Sequence, residues 1–79
     1  MAREYNFVNL HPSFTAAELD VCEYLLEGLT SSEIATKMGN APSTVDTHRS
    51  NIIKKGREIS PALDKALKVA THLRSRGQI

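Results

Sequence analysis

The stretch "SSEIATKMGNAPSTVDTHRSNIIKKG", residues 31–56, contains two short amphipathic patterns separated by a turn. The first pattern ends at Gly39, and the pair Gly39-Asn40 is typical of a turn. The second pattern starts at Pro42, which suits the first turn of a helix because its missing N–H removes no helical hydrogen bond there. The stretch therefore predicts two helices joined by a short turn.

The second of these helices has two unlike faces. Successive helical residues are rotated by about 100°, so Val45 and Ile52 lie on one side, with His48 and Arg49 on either flank of that apolar seam. The opposite face carries polar side chains, namely Asp46, Thr47, Ser50 and Lys54. The pattern predicts a helix that is anchored by a narrow apolar seam and displays short hydrogen-bonding side chains.

Capping signals predict the remaining helices. Thr15-Ala-Ala-Glu18 and Thr30-Ser-Ser-Glu33 are capping boxes, which open a first helix ending near Gly28 and a second helix ending near Gly39. Ser60 followed by Pro61 predicts the start of a fourth helix, spanning about residues 61–75. Its apolar stripe consists of Leu63, Ala66, Leu67, Ala70 and Leu73. The predicted fold class is all-α with four helices.

The chain is predicted to form one domain with a short lead-in. The N-terminal segment carries the apolar residues Tyr5, Phe7, Val8, Leu10 and Phe14 and is broken by Pro12. For residues 1–13 we expect a short helix or extended arm packed over the first main helix. Residues 14–79 form the domain itself, with the third helix at about residues 42–55. A chain of 79 residues is near the low end of what one hydrophobic core can stabilise.

Composition excludes several classes of function. With 41% hydrophobic and 24% charged residues, the sequence is typical of a globular protein. It has neither an apolar run long enough for a membrane span nor a signal-peptide pattern. The single cysteine, Cys22, suits a reducing compartment, and its place on an apolar helix face favours core packing over redox sensing. His11, His48 and His72 lack metal-ligand spacing. We therefore expect no enzyme, cofactor, metal or small-molecule substrate.

Charge is segregated along the chain although the net charge is only +1. Residues 1–35 carry one basic and six acidic side chains, whereas residues 36–57 carry five basic side chains and one acidic one. Residues 58–79 add four basic and two acidic side chains. A local basic surface matters more to a polyanion than the total charge does. The distribution favours a nucleic-acid interface, with ordinary solvated faces as the alternative.

The two helices are joined by a short turn that contains glycine, and the second helix is basic and polar on its outer face. This is the layout of a helix-turn-helix. A helix fits the major groove of DNA, where base edges present a distinctive pattern of donors and acceptors. Lysine and arginine side chains around such a helix can neutralise phosphates. The pattern therefore predicts binding to double-stranded DNA.

Several spaced positions also match a known family. They are Phe14-Thr15, Glu18, Gly28-Leu29-Thr30, Glu33-Ile34-Ala35, Thr44-Val45, His48, Asn51-Ile52 and Lys55. With these residues the segment 14–56 resembles the LuxR/FixJ-type, or GerE-like, helix-turn-helix domain. The resemblance implies a bacterial regulator of transcription, or its output domain, acting in the cytoplasm at the nucleoid. It also implies a homodimer, formed through the fourth helix, on a two-fold-symmetric DNA site.

The resemblance implies roles for particular residues. The expected base contacts are Asp46, Thr47 and Ser50, together with Arg49, which lies on the flank and can serve either way. The expected phosphate contacts are Lys37, Ser43, Thr44, His48, Lys54 and Lys55. The expected dimer contacts are Leu63, Leu67 and Ala70, and the alternative for this stripe is the inward face of a four-helix core. Asp46 is unfavourable among phosphates unless it accepts a hydrogen bond, for which the cytosine N4 amine is the best candidate.

Three departures from the family pattern bear on geometry. Ala41 is a poor N-cap residue for the third helix, and Asn40 is the alternative cap. Gly56 stands where the family has leucine, which predicts that the third helix ends early. The fourth helix looks longer than usual, which suggests a larger dimer interface.

Two other functions remain open from the sequence. The first is a helix-turn-helix module that binds protein, capturing another regulator or a polymerase subunit. Weak total charge, Asp46 and the altered turn motivate this alternative. The second is a fragment similar to the promoter-recognising end of a sigma factor, which the Thr44-Val45-x-x-His48 signature disfavours.

Overall fold

The computed structural model describes residues 14–77 and residue 79. The described residues form four helices and no strand. The helices are α1 (Ala16–Leu26), α2 (Ser31–Met38), α3 (Pro42–Ile59) and α4 (Ala66–Ser75). The predicted all-α, four-helix fold is confirmed, and the predicted arm at residues 1–13 lies outside the described residues.

Both predicted capping boxes are present. The Thr15 hydroxyl accepts from the Glu18 N–H at 3.1 Å, and the Glu18 carboxylate accepts from the Thr15 N–H at 2.9 Å. Thr30 and Glu33 repeat the arrangement at 3.2 and 2.9 Å. The hydrogen bonds from Thr30, first its backbone N–H, lower the pKa of the Glu33 carboxyl. These caps start α1 and α2, and each typically stabilises a helix by about 1 kcal/mol.

The turn between α2 and α3 has three residues. Gly39 adopts the left-handed conformation with φ of 69°, and the Asn40 N–H donates to the Ala35 carbonyl at 2.9 Å. Ala41 is extended and is the N-cap residue of α3, which begins at Pro42 without any side-chain cap. The alternative cap at Asn40 is therefore wrong, because the backbone of Asn40 closes the end of α2.

The third helix is longer than predicted. It continues through Gly56 to Ile59, which contradicts the expectation of an early end near residue 55. Glycine inside a helix costs about 1 kcal/mol relative to alanine, but Gly56 is buried at the place where α3 crosses α4. A Cβ atom built there would lie only 2.4 Å from Val69 Cγ2. Close packing between the two helices thus outweighs the propensity of the residue.

The fourth helix starts later than predicted. Ser60 is the C-cap residue of α3, and its carbonyl accepts from the Leu63 N–H at 3.0 Å. The Ser60 hydroxyl also accepts from the Ala62 N–H at 3.3 Å. Serine followed by proline favours a turn as well as a helix start, and here the turn is formed. α4 begins at Ala66 and has ten residues, so the expected long fourth helix is also wrong.

The core is formed by one face of each helix. α1 packs against α3 and α4, and α2 packs mainly against α3. Cys22 is fully buried in this core, as its helix position predicted. Burial, and then the nearby Glu18 charge, raise the pKa of the Cys22 thiol to about 12. The thiol is therefore protonated at neutral pH and packs as a small apolar group.

Candidate nucleic-acid interface

One face of α3 is exposed over most of its length. We call it the α3 outer face, and it comprises Ser43, Asp46, Thr47, Ser50, Lys54 and Arg57, all of them exposed. On the opposite side Val45 and Ile52 have no exposed surface. The apolar seam read from the sequence therefore anchors α3 in the core, and the polar side chains lie on the surface as expected.

Arg57 was missing from the sequence-based prediction of this face. It lies three residues after Lys54 and seven after Ser50, which places it on the same side of a helix. The residue was missed because the helix was expected to end before it. The signal that would have included it is the spacing of Ile52 and Ile59, seven residues apart, which continues the apolar seam past Gly56.

The Thr47 hydroxyl makes a local hydrogen bond. Its Oγ1 donates to the backbone carbonyl of Ser43, one turn earlier, at 3.1 Å. Threonine is stiff about its first side-chain torsion, and in helices such a bond selects one of its rotamers. The hydroxyl oxygen and the methyl group of Thr47 are thus held in defined positions on the α3 outer face.

Arg49 is engaged inside the helix-turn-helix. Its Nη1 donates to the Ser31 hydroxyl in the first turn of α2 at 2.7 Å, and the side chain is only partly exposed. In this structure the guanidinium joins α3 to α2, and the expected base contact at Arg49 stays a prediction. The bond helps to set the position of α3 relative to α2.

Lys55 is engaged with α1. Its Nζ lies 2.5 Å from Glu18 Oε1 and 5.7 Å from the centre of the Phe14 ring. The Glu18 side chain is only 4% exposed, against 25% for Lys55. In this position the ammonium neutralises a buried carboxylate, and the expected phosphate contact at Lys55 stays a prediction.

The other expected phosphate contacts lie at the surface. Lys37 is exposed in the last turn of α2, Ser43 and Thr44 are exposed in the first turn of α3, and His48 is partly buried on the flank. Lys54 is exposed in the second half of the α3 outer face. Within the described part of the chain, no ion pair engages either lysine.

The residues expected at a dimer contact fall in different places. Ala70 is fully buried in the core and Leu63 is partly buried in the turn before α4, so Ala70 cannot contact a partner. Leu67 is 52% exposed and is the one exposed large hydrophobic side chain among the described residues. A shallow groove surrounds it, lined by Ala62, Leu63, Lys65, Leu67, Lys68, Thr71 and His72.

Two other kinds of feature are absent from the described residues. No group of histidine, cysteine, aspartate or glutamate side chains in residues 14–77 and 79 could hold a metal ion. None of the described helices has both the length and the apolar character that crossing a membrane requires.

The short turn between α2 and α3 and the exposed polar face of α3 define a helix-turn-helix domain. A comparison with known families agrees with this class. The model of the family described as GerE, bacterial regulatory proteins, luxR family, matches residues 12–55, more than half of the chain. The chain therefore belongs to the LuxR family, as the resemblance predicted. No curated protein and no solved structure matches the chain significantly.

Family membership establishes the general role. Domains of the LuxR family bind DNA and regulate transcription, so the chain carries a DNA-binding regulator domain and not an enzyme.

Proposed function

We propose that the chain recognises a specific DNA sequence by inserting α3 into the major groove. The observation that supports this proposal is the α3 outer face, where short polar side chains precede the cations Lys54 and Arg57. An 18-residue helix is about 27 Å long. Its first half would carry the base contacts Asp46, Thr47 and Ser50, and its second half would carry cations toward the backbone. Action on the chromosome would place the protein in the cytoplasm, at the nucleoid.

The proposed phosphate contacts surround this helix. They are Lys37, Ser43, Thr44, His48 and Lys54, with Arg57 added and Lys55 left out. The uncapped start of α3 supports a contact at Ser43, because a helix N-terminus has a positive dipole end and its first N–H groups lack helical partners. The Thr44 N–H already donates to the Ala41 carbonyl at 3.0 Å, so Thr44 would contact a phosphate through its hydroxyl.

The proposal is tested by selecting bound oligonucleotides from a random duplex pool, with purified protein at modest salt. A two-fold-symmetric motif is expected, and its half-site spacing gives the geometry of the dimer. If folded protein enriches no motif, sequence-specific recognition is refuted.

Replacing Lys54 with alanine should weaken binding to every DNA sequence to a similar degree, because a phosphate contact carries no base information. The slope of log affinity against log salt should become shallower by about one. Ser50→Ala, on the same face, should instead change the preference at one base position and leave the slope unchanged. Titrations of the selected and a scrambled duplex at several salt concentrations measure both effects. Equal losses on both duplexes for both variants would refute the base contact at Ser50.

Replacing Ala41 with aspartate should stabilise the fold and weaken DNA binding. The backbone of Ala41 already has the extended conformation of an N-cap residue, with φ of −75° and ψ of 150°, so a side-chain cap should add about 1 kcal/mol. The new charge would repel a phosphate held at this helix start. Ala41→Ser is the matched control, because it caps the helix without a charge. Chemical denaturation and DNA titration measure the two effects, and undiminished affinity for Ala41→Asp would contradict a phosphate at this position.

We further propose that two copies of the chain associate through the exposed side of α4. Leu67 and the groove around it, which includes Leu63, are the support for this proposal. A two-fold interface places the same patch of both copies in contact, so Leu67 would be buried against the partner copy. The interface would use the outside of α4, and not the buried Ala70.

Leu67→Asp should abolish this association without unfolding the protomer, because the side chain is half exposed. Its affinity for a two-fold site should fall by about a hundredfold, since a dimer gains from binding both half-sites at once. Sedimentation gives the mass, and a half-site duplex is the control for the added negative charge. An unchanged mass for Leu67→Asp would refute α4 as the interface.

A further inference from the structure

The first half of the α3 outer face offers acceptors and lacks free donors at two adjacent positions. A threonine hydroxyl has one hydrogen, and that of Thr47 is committed to the Ser43 carbonyl at 3.1 Å. Only the oxygen lone pairs and the methyl group of Thr47 remain for a ligand. Asp46, next to it, is exposed and is an acceptor only. Any DNA group that hydrogen-bonds to either of these two side chains must therefore be a donor.

Arg49, which could supply hydrogen-bond donors at this part of α3, is engaged elsewhere. Arginine is the commonest reader of guanine, through its O6 and N7 acceptors, but Arg49 donates to Ser31 and is only partly exposed. The nearest exposed cation on this face, Lys54, lies eight residues after Asp46, or about 12 Å along the helix axis. A guanine opposite Asp46 and Thr47 would thus place its O6 and N7 acceptors against side-chain oxygens that are themselves acceptors.

Asp46 carries an unneutralised charge into this position. Within the described residues it has neither an ion pair nor a hydrogen bond. Bringing a carboxylate close to phosphates and removing its water is costly unless a donor replaces the water. Asp46 therefore disfavours base pairs that offer no hydrogen-bond donor and favours those that offer one.

Two bases present a donor in the major groove, cytosine through N4 and adenine through N6. Adenine places its N7 acceptor beside the amine, where it would oppose the second carboxylate oxygen of Asp46. Cytosine has no acceptor beside its amine on that edge. Resting on the proposed DNA binding, we propose that Asp46 specifies a cytosine by accepting from its N4 amine. In the same contact Thr47 accepts from the exocyclic amine of a neighbouring base.

The test uses the motif selected by the wild-type protein and three variants that keep the size of the side chain. Asp46→Asn adds an amide donor beside an acceptor, which is the arrangement that pairs with adenine. Thr47→Val keeps the shape of threonine and removes the acceptor. Glu58→Gln removes the same charge as Asp46→Asn from an exposed position near the end of α3, so it reports the general effect of charge.

The wild-type motif is expected to hold one cytosine per half-site whose change to thymine, which replaces the amine by an acceptor, lowers affinity about tenfold or more. Asp46→Asn should switch the preference at that position from cytosine to adenine, and Thr47→Val should relax the neighbouring position. Glu58→Gln should leave both preferences unchanged. A selected motif whose preferences survive Asp46→Asn would overturn the inference and leave the proposed function intact. Failure of the folded wild-type protein to select any motif would overturn both.

Discussion

Replacing Gly56 with leucine is expected to unfold the domain or to lower its free energy of unfolding by at least about 3 kcal/mol. A Cβ atom alone would lie 2.4 Å from Val69 Cγ2 and 3.3 Å from the Leu63 carbonyl oxygen. Val69 has no exposed surface, and a β-branched side chain in a helix has little rotamer freedom. Leucine adds three further carbons at this contact. A chain of this size has a total stability of only about 4–12 kcal/mol, so the loss is a large share of it.

The measurement is chemical denaturation followed by helical circular dichroism, with a smaller substitution as the quantitative probe. Gly56→Ala gains about 1 kcal/mol of helix propensity but overpacks the contact with α4. Val69→Ala removes the clashing methyl group, so Gly56→Ala should cost less in the Val69→Ala background than in the wild type. Equal costs in the two backgrounds would contradict the close approach of α3 and α4 at Gly56.

The features that were predictable from sequence are those that short-range chemistry determines. The capping boxes at Thr15 and Thr30 need only residues three apart, and both were found as predicted. The signal at Ser60-Pro61 is equally local but fits two structures, a helix start and a turn. What decides between them is the packing of α4 on the rest of the core, which the local sequence does not contain.

The course of α3 past Gly56 was not predictable for a related reason. When only helix propensity is considered, a glycine predicts the end of a helix. Here the missing side chain lets α4 approach, so the helix is retained because of a contact with Val69, thirteen residues away. The error propagated to the candidate site, since ending α3 early removed Arg57 from the α3 outer face.

The candidate site itself was largely predictable, because exposure on a helix follows from its period. Asp46, Thr47, Ser50 and Lys54 were assigned to the outer face from the positions of two apolar residues, and all four are exposed. The residues on the flanks were harder to assign, because their roles depend on partners distant in sequence. The partner of Lys55, for example, lies 37 residues away.

Lys55→Met is the second substitution with a large expected effect, a loss of about 3 kcal/mol in the free energy of unfolding. Methionine keeps much of the apolar stem of lysine but removes the ammonium group. The buried carboxylate of Glu18 would then keep only the Thr15 N–H as its hydrogen-bond donor. An uncompensated buried charge costs far more than an intact pair contributes. The position of Lys55 near the Phe14 ring adds a smaller cation–π contribution.

Lys54→Met is the matched control, since it makes the same chemical change one residue earlier on an exposed side chain. It should leave the denaturation midpoint nearly unchanged and weaken DNA binding, whereas Lys55→Met should lower the midpoint strongly. Adding Glu18→Gln to Lys55→Met should restore part of the stability, because glutamine removes the buried charge and can still complete the capping box with Thr15. Similar midpoints for Lys54→Met and Lys55→Met would show that the Glu18–Lys55 pair does not hold α1 against α3. Two adjacent lysines would then share the same solvated role, and Lys55 would return to the candidates for a phosphate contact.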